Sequence, residues 1–316
     1  MKKLMIILSI IALAMMPIAA QGNTETGSIR IGISKLLAHP ALDAIESGIK
    51  DYLADAGIDA VFDTQNANGE ISTAASIAKL FRDEGCDIVV GIATPTAQAL
   101  ANTFEEIPVV FASVTDVPAA GLEGIDNVCG VSDAVPLEEH FRMIERLTDA
   151  KRIGMVYTSG EANGISLMEG MKAICEENGV ELISAAVANS AEVKMAAQSI
   201  TDRIDAMYVA TDNTVVSAIS ALSDACTEAQ VPLFSADTTS ASGTNVLVAG
   251  GFDYYASGLL TGRLIQEIIE GKSPADIGTV FLEDLELYIN MDTAEMFGIT
   301  IPEDMIEKAA YIIDEE

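Results

Sequence analysis

Residues 87–100 read DIVVGIATPTAQAL, and residues 205–219 read DAMYVATDNTVVSAI. Each opens on an aspartate, runs through apolar and β-branched residues without polar alternation, and breaks at a short polar turn before a new apolar stretch. A strand covered by helices on both faces carries such an unbroken run, because no face of it meets water. The polar turn at its carboxyl end then leads into the returning helix of a strand-helix unit. One such unit is common in proteins, so the weight lies in the order of its neighbours. Arg30-Ile-Gly-Ile is answered by Arg152-Ile-Gly-Met, AGIDAVFDTQN (56–66) by NGVELISAAVANS (178–190), and IPVVFASVTD (107–116) by VPLFSADTTS (231–240).

Around these matches, strand-like runs at 29–34, 60–64, 87–93 and 108–114 alternate with helical stretches near 41–56, 72–84 and 95–104. A helix from Pro136 to Thr148 precedes the second round. The pattern predicts an α/β protein of two Rossmann-like, parallel-sheet lobes. Segments 246–252, 254–270 and 280–290 and a last helix would complete both sheets. The chain then crosses between lobes about three times, giving a multi-strand hinge, with 28–135 plus 252–278 as the first lobe and 136–251 plus 279–316 as the second. Ligands of open parallel sheets sit beyond the carboxyl ends of the strands. Two sheets presenting those ends to each other form one cleft, and closure about the hinge is the expected motion.

Composition narrows the partners. The chain has 17 basic and 48 acidic residues, a net charge of −31. Nucleic acid is excluded as a partner, since its affinity comes from Lys and Arg neutralising phosphates; the acidity itself reads as solubility. Residues 1–20 read as a signal peptide: Lys2 and Lys3, an apolar run over 4–16, Pro17, then Ala19 and Ala20. Export to a periplasmic or extracytoplasmic location is the expectation. The first cysteine is Cys86, so no lipid-bearing cysteine follows the apolar run. Cys86, Cys129, Cys175 and Cys226 are scattered through apolar contexts and read as buried free thiols, with no spacing for a metal. No metal or cofactor is expected. Catalytic signatures are thin: the only histidines are His39 and His140. Gly271-Lys272-Ser273 ends like a phosphate-binding loop, but Gln266 stands where its first glycine belongs.

The candidate site lies where strands stop. Thr94 reads as a helix N-cap with Pro95 at the first helical position and Thr96 behind it, and the exposed N–H groups of that helix end suit a carboxylate, or Thr94 simply caps its helix. Thr211, Asp212 and Asn213 are the counterpart in the second half, and Asp237 ends another strand; each aspartate either caps a helix or meets a cation. Leu36, His39, Pro40, Asn66, Thr115, Asp116, Ser132, Asp133, Ser159, Asn163 and Asn189 complete the expected rim. Tyr254 serves as an apolar ligand contact or as core.

The segments HPALDAIESGIKDYLADAG from His39, ATPTAQALAN, VFASVTDVPAAGL, GVSD, YTSGEANG, YVATDNTV, SADT and GFDYYASGLLTGRL, taken in order, resemble the ABC-transporter substrate-binding proteins of the tryptophan/tyrosine type. The resemblance implies a type I periplasmic-binding fold, no catalysis, an aromatic amino acid as ligand, and its delivery to a permease driven by a cytoplasmic ATPase; a monomer is the expected state. It departs from the family in lacking a lipoprotein cysteine and in reading Val117-Pro118 where relatives often have Pro-Val. The expected ligand pose puts a carboxylate near Thr94 and Thr96 and an ammonium near Asp212 or Asp237. Two competing classes are an exported hydrolase or isomerase using Asp116 and Asp212, and a ligand-sensing subunit of a membrane receptor.

Overall fold

The computed structural model describes residues 28–314; the segment read as a signal peptide lies outside the described residues. In chain order the first round is β1 (Ile29–Lys35), α1 (Pro40–Asp55), β2 (Ala60–Asn66), α2 (Ile71–Glu84), β3 (Ile88–Ile92), α3 (Thr94–Ala101), β4 (Val109–Ala112) and β5 (Val128–Ser132). The second round is α4 (Leu137–Thr148), β6 (Arg152–Thr158), α5 (Ala162–Glu177), β7 (Glu181–Val187), α6 (Val193–Gln198), β8 (Ala206–Val209), α7 (Asn213–Ser217), α8 (Ile219–Glu228), β9 (Leu233–Ser235) and β10 (Val246–Gly251). Then come α9 (Tyr254–Ile269), α10 (Pro274–Ile277), β11 (Thr279–Phe281), β12 (Glu286–Asn290), α11 (Met291–Phe297), α12 (Glu303–Lys308) and β13 (Tyr311–Ile313).

Two sheets result, with strand orders β11-β5-β4-β3-β1-β2 and β13-β12-β10-β9-β8-β6-β7. All neighbours are parallel except β10 and β12. The duplication seen in the sequence is physical. Asp87 accepts from the backbone N–H of Arg30 at 2.8 Å and Asp205 accepts from that of Arg152 at 2.9 Å, so the same acid-to-arginine clamp closes the amino ends of both sheets. The unbroken runs IVVGI and AMYV form β3 and β8, buried at every position. Fully burying one Ile, Val or Leu contributes roughly 1.5–3 kcal/mol, which is why these strands tolerate no polar residue.

Helix α9 follows the last parallel strand of the second sheet yet packs on α1 of the first. Gly48 and Gly258 make this possible: a Cβ on Gly48 would stand 2.4 Å from the Tyr255 carbonyl oxygen, and one on Gly258 2.3 Å from that of Ile45. The helices touch backbone to backbone, and Tyr254 and Ile265 join the first core. The chain passes between sheets after β5, after β10 and after β11.

Two differences from the sequence reading concern boundaries. Thr279, expected to begin the second lobe, begins β11, which pairs with Gly130–Ser132 of the first sheet, so the change of sheet falls between Phe281 and Glu286. Residues 280–290 look equally β-forming on both sides of Glu283-Asp284, and hydropathy carries no sign of which sheet each half joins. The strand β5, buried at every position, was not anticipated; its five residues VCGVS form too short a run to stand out.

Candidate functional site

The carboxyl ends of both sheets face one another, and side chains from each meet across the gap. Thr115, after β4, reaches the hydroxyl of Thr211, after β8, at 3.2 Å. Ser166 on α5 donates to Asp116 of the opposite lobe. Between them is a cavity of about 20 Å³, little more than one water molecule requires, so a solute the size of an amino acid fits only if the lobes part. His39, Ala41 and Leu42 line it from the start of α1, Ser113, Thr115 and Asp133 from the ends of β4 and β5, and Tyr254 from α9. The second lobe contributes Thr211, Asp212, Asn213, Val216 and Asp237.

Among the described residues, three aspartates and no Lys or Arg line this space. Asp133 is pushed up to about 6 by burial, against the hydrogen bond from the Thr115 hydroxyl at 2.9 Å, with the charge of Asp237 adding to the rise. Burial also raises Asp237, whose Oδ1 accepts from the N–H and the hydroxyl of Thr239, both at 2.7 Å. Asp212 is pushed up to about 7 by burial and by the neighbouring Glu161. Tyr254 is driven upward by burial and then by Asp133 and Asp237, so its phenol stays protonated and able to donate. His39 moves down: burial outweighs the nearby charge of Asp237 and keeps its ring neutral.

Asp212 is fully buried and held within its own lobe. It accepts from the N–H of Thr158 at 2.6 Å, from the Thr158 hydroxyl at 2.7 Å and, as N-cap of α7, from Val215 N–H at 3.1 Å. Gly164 gives it room, since a Cβ there would lie 2.5 Å from its Oδ2. Asp133 is the acid with the fewest ties, while Asp237 caps the 3-10 turn Thr238–Ala241 through Thr239. Sequence reasoning did not single out Glu161, which lies at the N-cap position of α5 without capping it. Its carboxylate accepts from Thr214 N–H at 3.0 Å, Thr214 hydroxyl at 2.6 Å and Asn213 Nδ2 at 2.7 Å, and so positions the loop that carries Thr211 to Asn213. Short side chains are preferred at N-caps, and a glutamate there was the available signal.

Thr94 is not a cap. The N-cap position belongs to Ala93, held at φ 77° and ψ 158°, and Thr94 is the first helical residue with Pro95 second. Such a conformation is nearly confined to glycine and costs of order 1–3 kcal/mol. Thr96 donates its hydroxyl to the carbonyls of Ile92 at 2.7 Å and Ala93 at 2.9 Å, tying down this turn. Thr94, Pro95 and Thr96 are buried and none of them lines the cavity.

Leu36 is buried, its carbonyl accepting from Gly69 at 2.8 Å, and Pro40 opens α1. Ser132 accepts from Ala134 N–H at 3.3 Å, and Asn163 donates to the Thr211 carbonyl at 2.9 Å while its own Oδ1 is buried without a partner. Asn66 accepts from Asn68 N–H at 2.7 Å in the turn after β2. The exposed Ser159 and Asn189 bond locally, to the Val187 carbonyl at 3.3 Å and to Ala191 N–H at 3.1 Å. None of Leu36, Pro40, Asn66, Asp116, Ser132, Ser159, Asn163 and Asn189 lines the cavity.

Two matched parallel-sheet lobes closed on a polar interior, with three crossings between them, make up the type I periplasmic-binding fold. More specifically, residues 30–313 match the family of ABC transporter substrate binding proteins, and the chain belongs to it: it is the substrate-binding component of an ABC transporter. A protein named tyrosine-binding protein from Clostridioides difficile is 34% identical over 288 residues, 87% of this chain and 83% of that one. The structure of an ABC domain in complex with L-Trp from Streptococcus pneumonia superposes with a TM-score of 0.87 at 32% identity, covering 91% of this chain and all of that one. A ligand-free, open substrate binding protein from Clostridium difficile has 30% identity and the same coverage of 91% and 100%, yet its TM-score is 0.67. At near-equal identity the better match is to the liganded protein, which agrees with lobes hydrogen-bonded across the cleft. No helix among the described residues is long and apolar enough to cross a membrane, and among them no group of three or more His, Cys, Asp or Glu side chains is placed to hold a metal.

Proposed function

We propose that this chain works outside the cytoplasmic membrane as the monomeric receptor for an aromatic amino acid, tyrosine or tryptophan. It closes on the ligand about its three crossings, performs no chemistry on it, and presents it to a permease driven by an ATPase. The observation that carries this reading is the pair Asp133 and Asp237, buried at facing strand ends around a cavity that no Lys or Arg lines. Buried carboxylates with raised pKa values lack a cation, and an α-ammonium is a cation small enough to reach both. Leu42, Val216 and Tyr254 supply apolar surface for a side chain. No tryptophan occurs in the chain, so stacking against a ligand ring falls to groups such as Tyr254. The relatives named for tyrosine and solved with L-Trp support an aromatic ligand.

Calorimetric titration of unfolded, ligand-stripped and refolded protein against the standard amino acids tests it. Micromolar or tighter binding of tyrosine or tryptophan is expected. Binding no tighter than millimolar to any of them would sink the proposal.

A further inference from the structure

We propose, resting on the amino-acid reading above, that His39 and the amino end of α1 receive the ligand's α-carboxylate. His39 is 8% exposed, and among the described residues its ring nitrogens make no hydrogen bond of good geometry, the amide of Asn213 being the one polar side chain that approaches them. A buried polar group without a partner carries the full cost of its lost hydration, and this one borders the cavity between the lobes. It also stands at the N-cap position of the 16-residue α1 without capping it.

The helix end is open in the same direction. Pro40 has no N–H, and the first backbone bond of the helix is Asp43 N–H to the His39 carbonyl at 3.0 Å. The N–H groups of Ala41 and Leu42 come before that bond, and both residues line the cavity beside His39. Free N–H groups at the start of a long helix attract an anion. With no Lys or Arg among the described lining residues, a helix end and an imidazole N–H supply donors for an anion, beside the hydroxyls of Ser113, Thr115, Thr211 and Tyr254.

The electrostatic surroundings match a zwitterion. The charged groups facing His39 are Asp237 beyond β9, Glu161 ahead of α5 and Asp43 on its own helix. Asp43 is paired with Lys35, and Glu161 is satisfied by Thr214 and Asn213. Asp237 is left to meet the ammonium, one carbon away from the carboxylate that His39 would hold. The turn at Thr94 to Thr96, where the sequence pointed for the carboxylate, bonds to itself.

The test compares tyrosine with tyramine, which lacks only the carboxylate, on the wild type, His39→Leu and His39→Gln. Wild type is expected to prefer tyrosine. His39→Leu is expected to weaken tyrosine roughly ten- to hundredfold, the range of a charge-assisted hydrogen bond, and to leave tyramine within about twofold. His39→Gln, which keeps an N–H donor, recovers part of the loss. Because the chain has two histidines, NMR resolves both rings: tyrosine raises the pKa of His39 and leaves His140 unmoved. Equal weakening of both ligands, tyramine binding as tightly as tyrosine to wild type, or an unmoved His39 each overturns the assignment while sparing the amino-acid reading. Failure of the wild type to bind tyrosine or tryptophan refutes that reading and this assignment with it.

Discussion

Replacing Asp133 with asparagine changes one charge and little else, since an amide oxygen can still accept the 2.9 Å hydrogen bond from Thr115. In the wild type the carboxyl has a pKa of about 6, raised first by burial. A ligand ammonium favours the charged form, so binding is strongest above that value and weakens as pH falls through it. At pH 7 the group is ~90% ionised and the variant gives up a charge-assisted hydrogen bond, about 1.5–3 kcal/mol, or roughly ten- to hundredfold in affinity. At pH 5 only ~10% is ionised, so the ratio of wild-type to variant affinity should shrink about tenfold between pH 7 and pH 5. His39 and Asp237 titrate in both proteins and largely cancel in the ratio. Calorimetry with tyrosine at pH 7, 6 and 5 on both proteins measures it. A ratio that does not change with pH, or a variant that binds as tightly as wild type at pH 7, would refute Asp133 as an ammonium partner.

Three further outcomes follow from the same geometry. His140, buried against the Tyr208 hydroxyl at 2.8 Å, is held down to about 4, so between pH 6.5 and 4 the unfolded chain binds a proton that the folded one does not. Urea unfolding of wild type should therefore lose about 3 kcal/mol more than His140→Phe on going from pH 7 to pH 4, and parallel pH profiles would contradict this. Raised Asp133 and Asp212 work in the opposite sense over that window but are common to both proteins. Ser166→Ala removes a lobe-to-lobe hydrogen bond and should speed ligand release about fivefold in stopped flow, with an unchanged rate arguing against a latch. Gly164→Ala puts a Cβ 2.5 Å from Asp212 Oδ2 and 3.1 Å from the Thr158 carbonyl, which should destabilise the protein by about 1–3 kcal/mol, read as a lowered melting temperature.

The fold was legible because burial on both faces forces unbroken apolar runs, and because the chain states that pattern twice with Asp87 and Asp205 in equivalent clamps. The change of sheet near residue 282 was not legible, since both flanks of Glu283-Asp284 favour strands and only tertiary pairing sends β11 one way and β12 the other. At the site, the sequence pointed to the strand-end loops but carried no sign of the division of labour within them. Asp212 and Asp237 look alike in sequence. Both cap the turn that follows, and what ties Asp212 down further is Thr158, 54 residues before it. Ala93 occupies a glycine-like conformation that no residue preference would suggest, which moved the cap from Thr94. Glu161 acts through Asn213 and Thr214, 52 and 53 residues downstream, a pairing set by the meeting of α5 and α7.

A crystal structure of the refolded protein grown with tyrosine or tryptophan addresses most directly the claim that two facing sheet ends close on an amino acid through buried carboxylates. The ligand is expected between the lobes, its amine nitrogen about 3 Å from a carboxylate oxygen of Asp133 or Asp237. An amine turned to solvent, or a ligand seated outside the space between β4, β5, β8 and β9, would contradict it.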